Sequence, residues 1–164
     1  PFPNGYNIRK YRNGDERIWT EIQRAAEPFG KIDDDLFQRE FGKDTNSMKD
    51  RSFFLTEDNG HEIGTVTAWW QPNWKNREWG QIHWVAIHPD FHGHGLAKPM
   101  LSVAMKRLKK SHARSFLRTS TGRIAAIKTY LNFGFVPDVE TNDDRTAWHE
   151  VASHLKHSSL LSFI

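Results

Sequence analysis

Apolar and polar positions change period several times along the chain, and each change predicts an element. Residues 6–12 (YNIRKYR) alternate as a strand does, and the NGDE that follows supplies a turn with acidic residues near a helix start. Residues 15–29 place Ile18, Ile22, Ala25 and Ala26 on one side of a helix, which Pro28 and Gly30 close. A second short helix is expected over 34–41, and the polar stretch 42–50 reads as loop. Two strand patterns, 52–57 and 62–70, flank Asn59-Gly60, the strongest short hairpin signal in a sequence. Residues 72–76 read as another turn, and 78–87 as a third consecutive strand. A helix over 95–111 carries Leu96, Met100, Val103, Ala104 and Leu108 as its apolar stripe. A strand at 114–120, a helix at 123–133 ended by Gly134, and strands at 135–138 and 146–155 complete the order. This β-α-α-β-β-β-α-β-α-β-β order predicts one α/β domain over 1–164, built on a mixed sheet flanked by helices.

Composition narrows the chemistry. The 164 residues include no cysteine, which excludes a thiol nucleophile, a disulfide framework and a thiolate zinc site and fits a reducing cytoplasm. No apolar run approaches the roughly 20 residues that cross a bilayer, and the first residues do not have the pattern of a signal peptide. The net charge of +3 is mild, and the one basic cluster, residues 106–110 (KRLKK), suits a solvated helix end better than a nucleic-acid surface. Of seven tryptophans, Trp69, Trp70, Trp74 and Trp79 crowd into one segment, which suggests a packed aromatic wall or a ligand cleft beside it.

The chemistry-bearing stretch is 84–100 (WVAIHPDFHGHGLAKPM). Strict alternation would put Gln81, His83, Val85 and Ile87 on one face of the strand, with Ile82, Trp84 and Ala86 on the other. Pro89 ends the strand, and residues 92–97 (HGHGLA) enter the helix with little side-chain bulk. Two uses of such a turn are open. One is a tight connection and nothing more; the other is a pyrophosphate cradle of free amides at a helix N-terminus. It is not a Walker loop, since no Lys-Ser/Thr follows the second glycine, and it lacks the third glycine of a dinucleotide fingerprint.

Together with residues 125–135 (AAIKTYLNFGF), this stretch resembles the Gcn5-related N-acetyltransferase (GNAT) superfamily. The family's Arg/Gln-x-x-Gly-x-Gly/Ala is met by His92, Gly93, His94, Gly95, Leu96 and Ala97, with histidine at the first position. Ala126, Ile127, Tyr130, Gly134 and Phe135 match its second motif. The resemblance implies a mostly antiparallel sheet, acetyl-CoA as cosubstrate, no metal, and acetyl transfer to a primary amine by direct attack in a ternary complex. The strand backbone at Val85, Ala86 and Ile87 would meet the pantetheine arm, and main-chain amides within 92–97 the pyrophosphate. The His92 imidazole would donate to phosphate, and Lys98 would lie near a CoA phosphate. Thr119 and Thr121 would either hydrogen-bond the pantetheine or adenosine side or cap the helix that follows, capping being favoured for Thr121. Arg123 would stand at a pantetheine contact where many members have asparagine.

Tyr130 stands where the family often carries the general acid. Gln81 stands where some members have a glutamate base, so His83 is the first substitute and Glu78 the second, acting through water. The acceptor would be a small-molecule or peptide amine, and the C-terminal strands are compatible with a homodimer. The rival is a non-catalytic acyl-CoA-binding sensor. The spacings of His88, His92 and His94, and of His149 and His154, do not form a metal motif.

Overall fold

The computed structural model describes residues 1–42 and 44–164. In chain order these form β1 (Tyr6–Lys10), α1 (Glu16–Ala26), α2 (Leu36–Phe41), α3 (Thr45–Arg51), β2 (Ser52–Glu57), β3 (Glu62–Trp74), β4 (Arg77–Ile87), α4 (Ala97–Lys109), β5 (Ser115–Leu117), α5 (Ile124–Asn132) and α6 (Asn142–His154). The chain divides into two compact units, 1–117 and 118–164. No helix among the described residues is long and apolar enough to cross a membrane.

The first unit is built on a five-stranded sheet in the order β1-β2-β3-β4-β5. All pairs are antiparallel except β4–β5, which is parallel. The Asn59-Gly60 hairpin joins β2 to β3, with Gly60 at φ 87° and its N–H bonded to the Glu57 carbonyl. The β3–β4 hairpin runs further than the sequence predicts. Lys75 and Asn76 both take positive φ, the geometry that a two-residue hairpin loop needs, so pairing extends out to Trp74 and Arg77.

One face of the sheet carries α1 and α2 over an aromatic core of Tyr11, Trp19, Phe37, Phe41 and Phe54, with Ala86 of β4 in the same cluster. Burial on α1 centres on Trp19, Ile22 and Gln23, and Ala25, expected inside, is exposed. The α4 stripe is Leu96, Met100, Leu101, Ala104 and Leu108, with Val103 displaced to a half-buried position. Leu108 approaches Gly80 so closely that an added Cβ would lie 3.0 Å from its side chain.

Secondary structure also departs from expectation in the segment 42–50 and in the second unit. Part of the segment expected as loop is α3, because the Asp44 side chain accepts from the Ser47 N–H and caps it; Lys43, in the same segment, lies outside the described residues. In the second unit the expected strands at 135–138 and 146–155 are absent, and residues 142–154 are α6. Thr141 and Asp144 form a reciprocal capping box that starts this helix, and Val151, Ala152 and Leu155 pack from it at helical spacing against Ile127, Leu131, Leu160 and Phe163. Of the C-terminal strands that the resemblance made available for dimerisation, 146–155 is therefore helical almost throughout and 135–138 has no regular structure.

Candidate active site

β4 builds the site through a bulge. Thr65 of β3 faces Ala86 and Thr67 faces His83, so Val66 is opposed by two residues, Trp84 and Val85. Trp84 sits at φ 48°, a conformation that a bulky side chain rarely holds unless its surroundings impose it. Here they do. The Trp84 carbonyl accepts from Gln23 Nε2 at 3.1 Å and Thr65 Oγ1 at 3.3 Å, and its indole Nε1–H donates to Glu40 Oε2 at 2.9 Å.

The bulge reverses the alternation of side chains. Gln81 and His83 face the α1/α2 side before it, and Ala86 enters that same core after it. Val85 and Ile87 consequently do not share a face with His83, contrary to strict alternation; an extra residue in one strand shifts parity by one.

Pairing with β5 stops at Ile82 and Leu117. Among the described residues no strand continues beside β4 on that side from His83 to Ile87, the segment that includes Val85, Ala86 and Ile87. A strand edge left open in this way offers backbone donors and acceptors to an extended ligand.

After β4, a 3-10 turn at Pro89–Phe91 leads into the glycine turn. Gly93 and Gly95 have φ of 82° and 73°, and a Cβ at either would meet nothing within 4 Å. Backbone conformation, not crowding, requires glycine at both, and the space beside them is open. α4 starts with Leu96 in the capping position, which provides no side-chain cap, and its first backbone bond runs from Met100 to Leu96 at 3.2 Å. The Ala97 and Lys98 amides precede that donor and Pro99 has none, so the positive end of the helix is presented by main chain. Such a turn fits a pyrophosphate, and Lys98 is exposed in its first helical turn.

The two histidines brace the loop. The His92 Nε2–H donates to the Ile87 carbonyl at 2.9 Å, and the His94 Nδ1–H donates to the His92 carbonyl at 3.1 Å. One nitrogen of the His92 imidazole is thereby spent on shaping the turn.

A polar chain crosses the α2 side of β4. Gln71 Nε2 donates to Gln81 Oε1 at 3.1 Å, Gln81 Nε2 donates to His83 Nδ1 at 3.1 Å, and His83 Nε2–H donates to Glu40 Oε2 at 2.9 Å. Both nitrogens of His83 are thereby engaged. The His83 N–H holds the Glu40 carboxyl below the usual carboxylate range, helped by the Trp84 indole and opposed by partial burial. Glu40 went unnoticed in the sequence, where it is one more charge on a short helix, because its partners lie on another element.

Glu78 goes elsewhere. It lies an odd number of positions from His83 in regular strand, so it points to the α4 side, where its Oε1 is 3.2 Å from His112 Nδ1. The tryptophans pack in two groups, Trp69 with Trp70 at 4.5 Å and Trp74 with Trp79 about the Phe116 ring. Trp69 packs on Phe41 at 5.2 Å, Arg51 lies 4.4 Å above Trp70, and Trp74 stacks on Phe116 at 4.2 Å.

In the second unit, Tyr130 is half-buried on α5, with its ring edge against Phe135. Burial pushes its phenol up, opposed by the Arg123 charge, so the oxygen keeps its proton at neutral pH. Arg123 occupies the capping position of α5, Thr119 is exposed, and no side chain caps the helix, contrary to the expectation for Thr121.

The first unit is thus an α/β fold in which an open, bulged β4 runs into a glycine turn and an uncapped helix. The model of the Acetyltransferase (GNAT) family matches residues 16–135, and the chain belongs to that family. It is 26% identical over 138 residues to a mycothiol acetyltransferase of Streptomyces coelicolor, covering 82% of this chain and 44% of that protein. The chain thus spans less than half the length of that relative. The ribosomal-protein-S18-alanine N-acetyltransferase of Escherichia coli has the same fold (TM-score 0.64, 20% identity, 82% of this chain and 79% of that one). So does a chain of the NatC complex bound to Gag peptide and CoA (TM-score 0.67, 16% identity, 82% of this chain and 86% of that one).

Proposed function

We propose that this chain is an N-acetyltransferase that uses acetyl-CoA and a primary amine in a ternary complex. The observation that carries this reading is the run from the open edge of β4 into the turn of Gly93 and Gly95 and the uncapped start of α4. The edge suits an amide-bearing arm at Val85 to Ile87, and the amides of 93–98 suit the diphosphate, with Lys98 beside it. Acetyl-CoA supplies the reactive thioester. The amine nitrogen forms the new N–C bond as the C–S bond breaks; the ammonium proton leaves to a base or water, and the thiolate takes a proton.

We assign that last proton to Tyr130, whose phenol stays protonated. A positioned acid of this kind contributes about 10²–10⁴-fold. His83, with both nitrogens bonded, is assigned to holding Glu40 and not to taking the amine proton itself. Thr119 and Arg123 remain proposed contacts on the pantetheine or adenosine side. The lack of cysteine suits a reducing cytoplasm.

Isothermal titration with acetyl-CoA and CoA, beside a Gly95→Asp variant, tests the reading. Binding in the micromolar range that the variant loses is the expected result. A folded wild type that binds neither molecule overturns it, and binding without turnover of any amine leaves the sensor reading standing instead.

A further inference from the structure

Glu40 has an unusual position for a surface-helix carboxylate. Its side chain is 30% exposed. Oε2 accepts two N–H donors, from His83 and Trp84, each at 2.9 Å. Oε1 has no partner among the described residues. The group is fixed at one oxygen and presents the other. Its partner His83 is set among aromatic rings: buried Phe41 lies 5.9 Å from the His83 ring, Trp84 lies 5.8 Å from it, and Trp69 lies 5.2 Å from Phe41.

Apolar walls strengthen any charge pair made there, because less water screens it. Ring faces are themselves attractive to a cation. The groups that face Glu40 are His83 and Trp84 from β4 and the neighbouring Arg39 from α2, whose guanidinium is occupied by Asp33. Glu40 also stands beside His83, the residue at which β4 loses its β5 partner.

We propose that Glu40 is the acceptor-binding carboxylate of this protein: its free Oε1 receives the ammonium group of an amine whose hydrocarbon part lies on the partly exposed rings of Trp69 and Trp84. The proposal rests on the acetyltransferase reading for its placement, and it adds the residue and the chemistry of acceptor recognition. His83 is a positioning residue in it, held in one tautomer by Gln81 and Gln71 so that its Nε2–H keeps the carboxylate in place. Trp84 does the same from the bulge. The left-handed conformation of Trp84 has a purpose on this account, since it brings two successive strand residues to one carboxylate oxygen.

The test is a direct binding measurement with a matched pair of probes, phenethylammonium and the neutral phenethyl alcohol, by NMR titration with and without saturating CoA. The wild type should bind the ammonium about tenfold or more tightly than the alcohol, as one charge-assisted hydrogen bond provides, and Glu40→Gln should bind the two alike. Glu40→Asp, which keeps the charge, should restore part of the preference. In wild-type protein carrying ¹³C-labelled glutamate, the Glu40 carboxyl resonance should shift with the ammonium and not with the alcohol, a readout that needs no variant. Equal binding of the two probes by the wild type, a preference that survives in Glu40→Gln, or an unmoved Glu40 resonance overturns the proposal. A Glu40-dependent preference in a protein that binds no CoA would sink the acetyltransferase reading and leave the ammonium site. Normal CoA binding without the preference would do the reverse.

Discussion

The indole N–H of Trp84 donates to Oε2 of Glu40 across a sequence separation of 44 residues. A short helix is thereby tied to the bulge of β4, and a conformation that tryptophan rarely adopts is held by three hydrogen bonds at once. Trp84→Phe keeps the ring and removes the donor. It should cost about 1–3 kcal/mol, the usual effect of withdrawing a hydrogen bond from a charged group, seen as a lower urea midpoint at unchanged slope. A loss near zero would mean that the indole bond does not hold the bulge.

Gly64 lies opposite Ile87 on β3, and a Cβ there would sit 2.8 Å from the Ala86 carbonyl oxygen. That neighbour is backbone and cannot swing aside. Gly64→Ala should therefore destabilise the protein by about 1–3 kcal/mol and disturb the open edge, so that acetyl-CoA binding weakens with it. Urea denaturation together with titration calorimetry reads both effects.

Gly95 poses a different constraint, because space around it is open and only its φ of 73° is restrictive. Gly95→Ala should cost about 1–2 kcal/mol, the price of a left-handed L-residue, and Gly95→Asp should also repel the diphosphate. The separation is measurable: the alanine variant should retain weakened CoA binding at a lower melting temperature, and the aspartate variant should lose binding altogether.

Tyr130→Phe removes a phenolic proton and little else. On the proposed chemistry kcat should fall by about 10²–10⁴-fold while the melting temperature and the Kd for acetyl-CoA stay near wild type. An unchanged kcat would remove Tyr130 from the reaction.

His112 carries a pH dependence of stability. Its side chain is 3% exposed, and burial, aided by the Arg51 charge, holds its pKa below the ordinary 6.5 although Glu78 pulls the other way. The unfolded chain then binds the proton more readily than the folded one. Stability should be complete above about pH 6.5 and should decline as pH falls through that value toward the lowered folded pKa. His112→Gln should flatten that part of the profile, as followed by thermal unfolding between pH 7.5 and 5 at roughly these histidine values.

Local chemistry was legible wherever a short signal decided a short structure. Asn59-Gly60 made its hairpin, and residues 92–97 made a glycine turn ahead of α4. Where two local signals compete, the longer-ranged one wins: residues 146–155 read as a strand, yet the Thr141–Asp144 capping box and the spacing of Val151, Ala152 and Leu155 make a helix. Asp44 was likewise a cap before it was a loop residue.

By itself the sequence determined the order of most elements, the absence of thiol chemistry and the glycine turn, because periodicity, composition and φ preference act over a few neighbouring residues. Only the tertiary structure decided that β4 bulges at Trp84, that Val85 and Ile87 leave the face of His83, and that Glu78 meets His112 while Glu40, a residue the sequence does not single out, meets His83. A bulge is set by what the facing strand and the packed helix offer, here Thr65, Gln23 and Glu40, and those partners lie tens of residues away. Parity beyond a bulge, and with it the choice of which carboxylate meets the histidine, exists only once those distant groups have met.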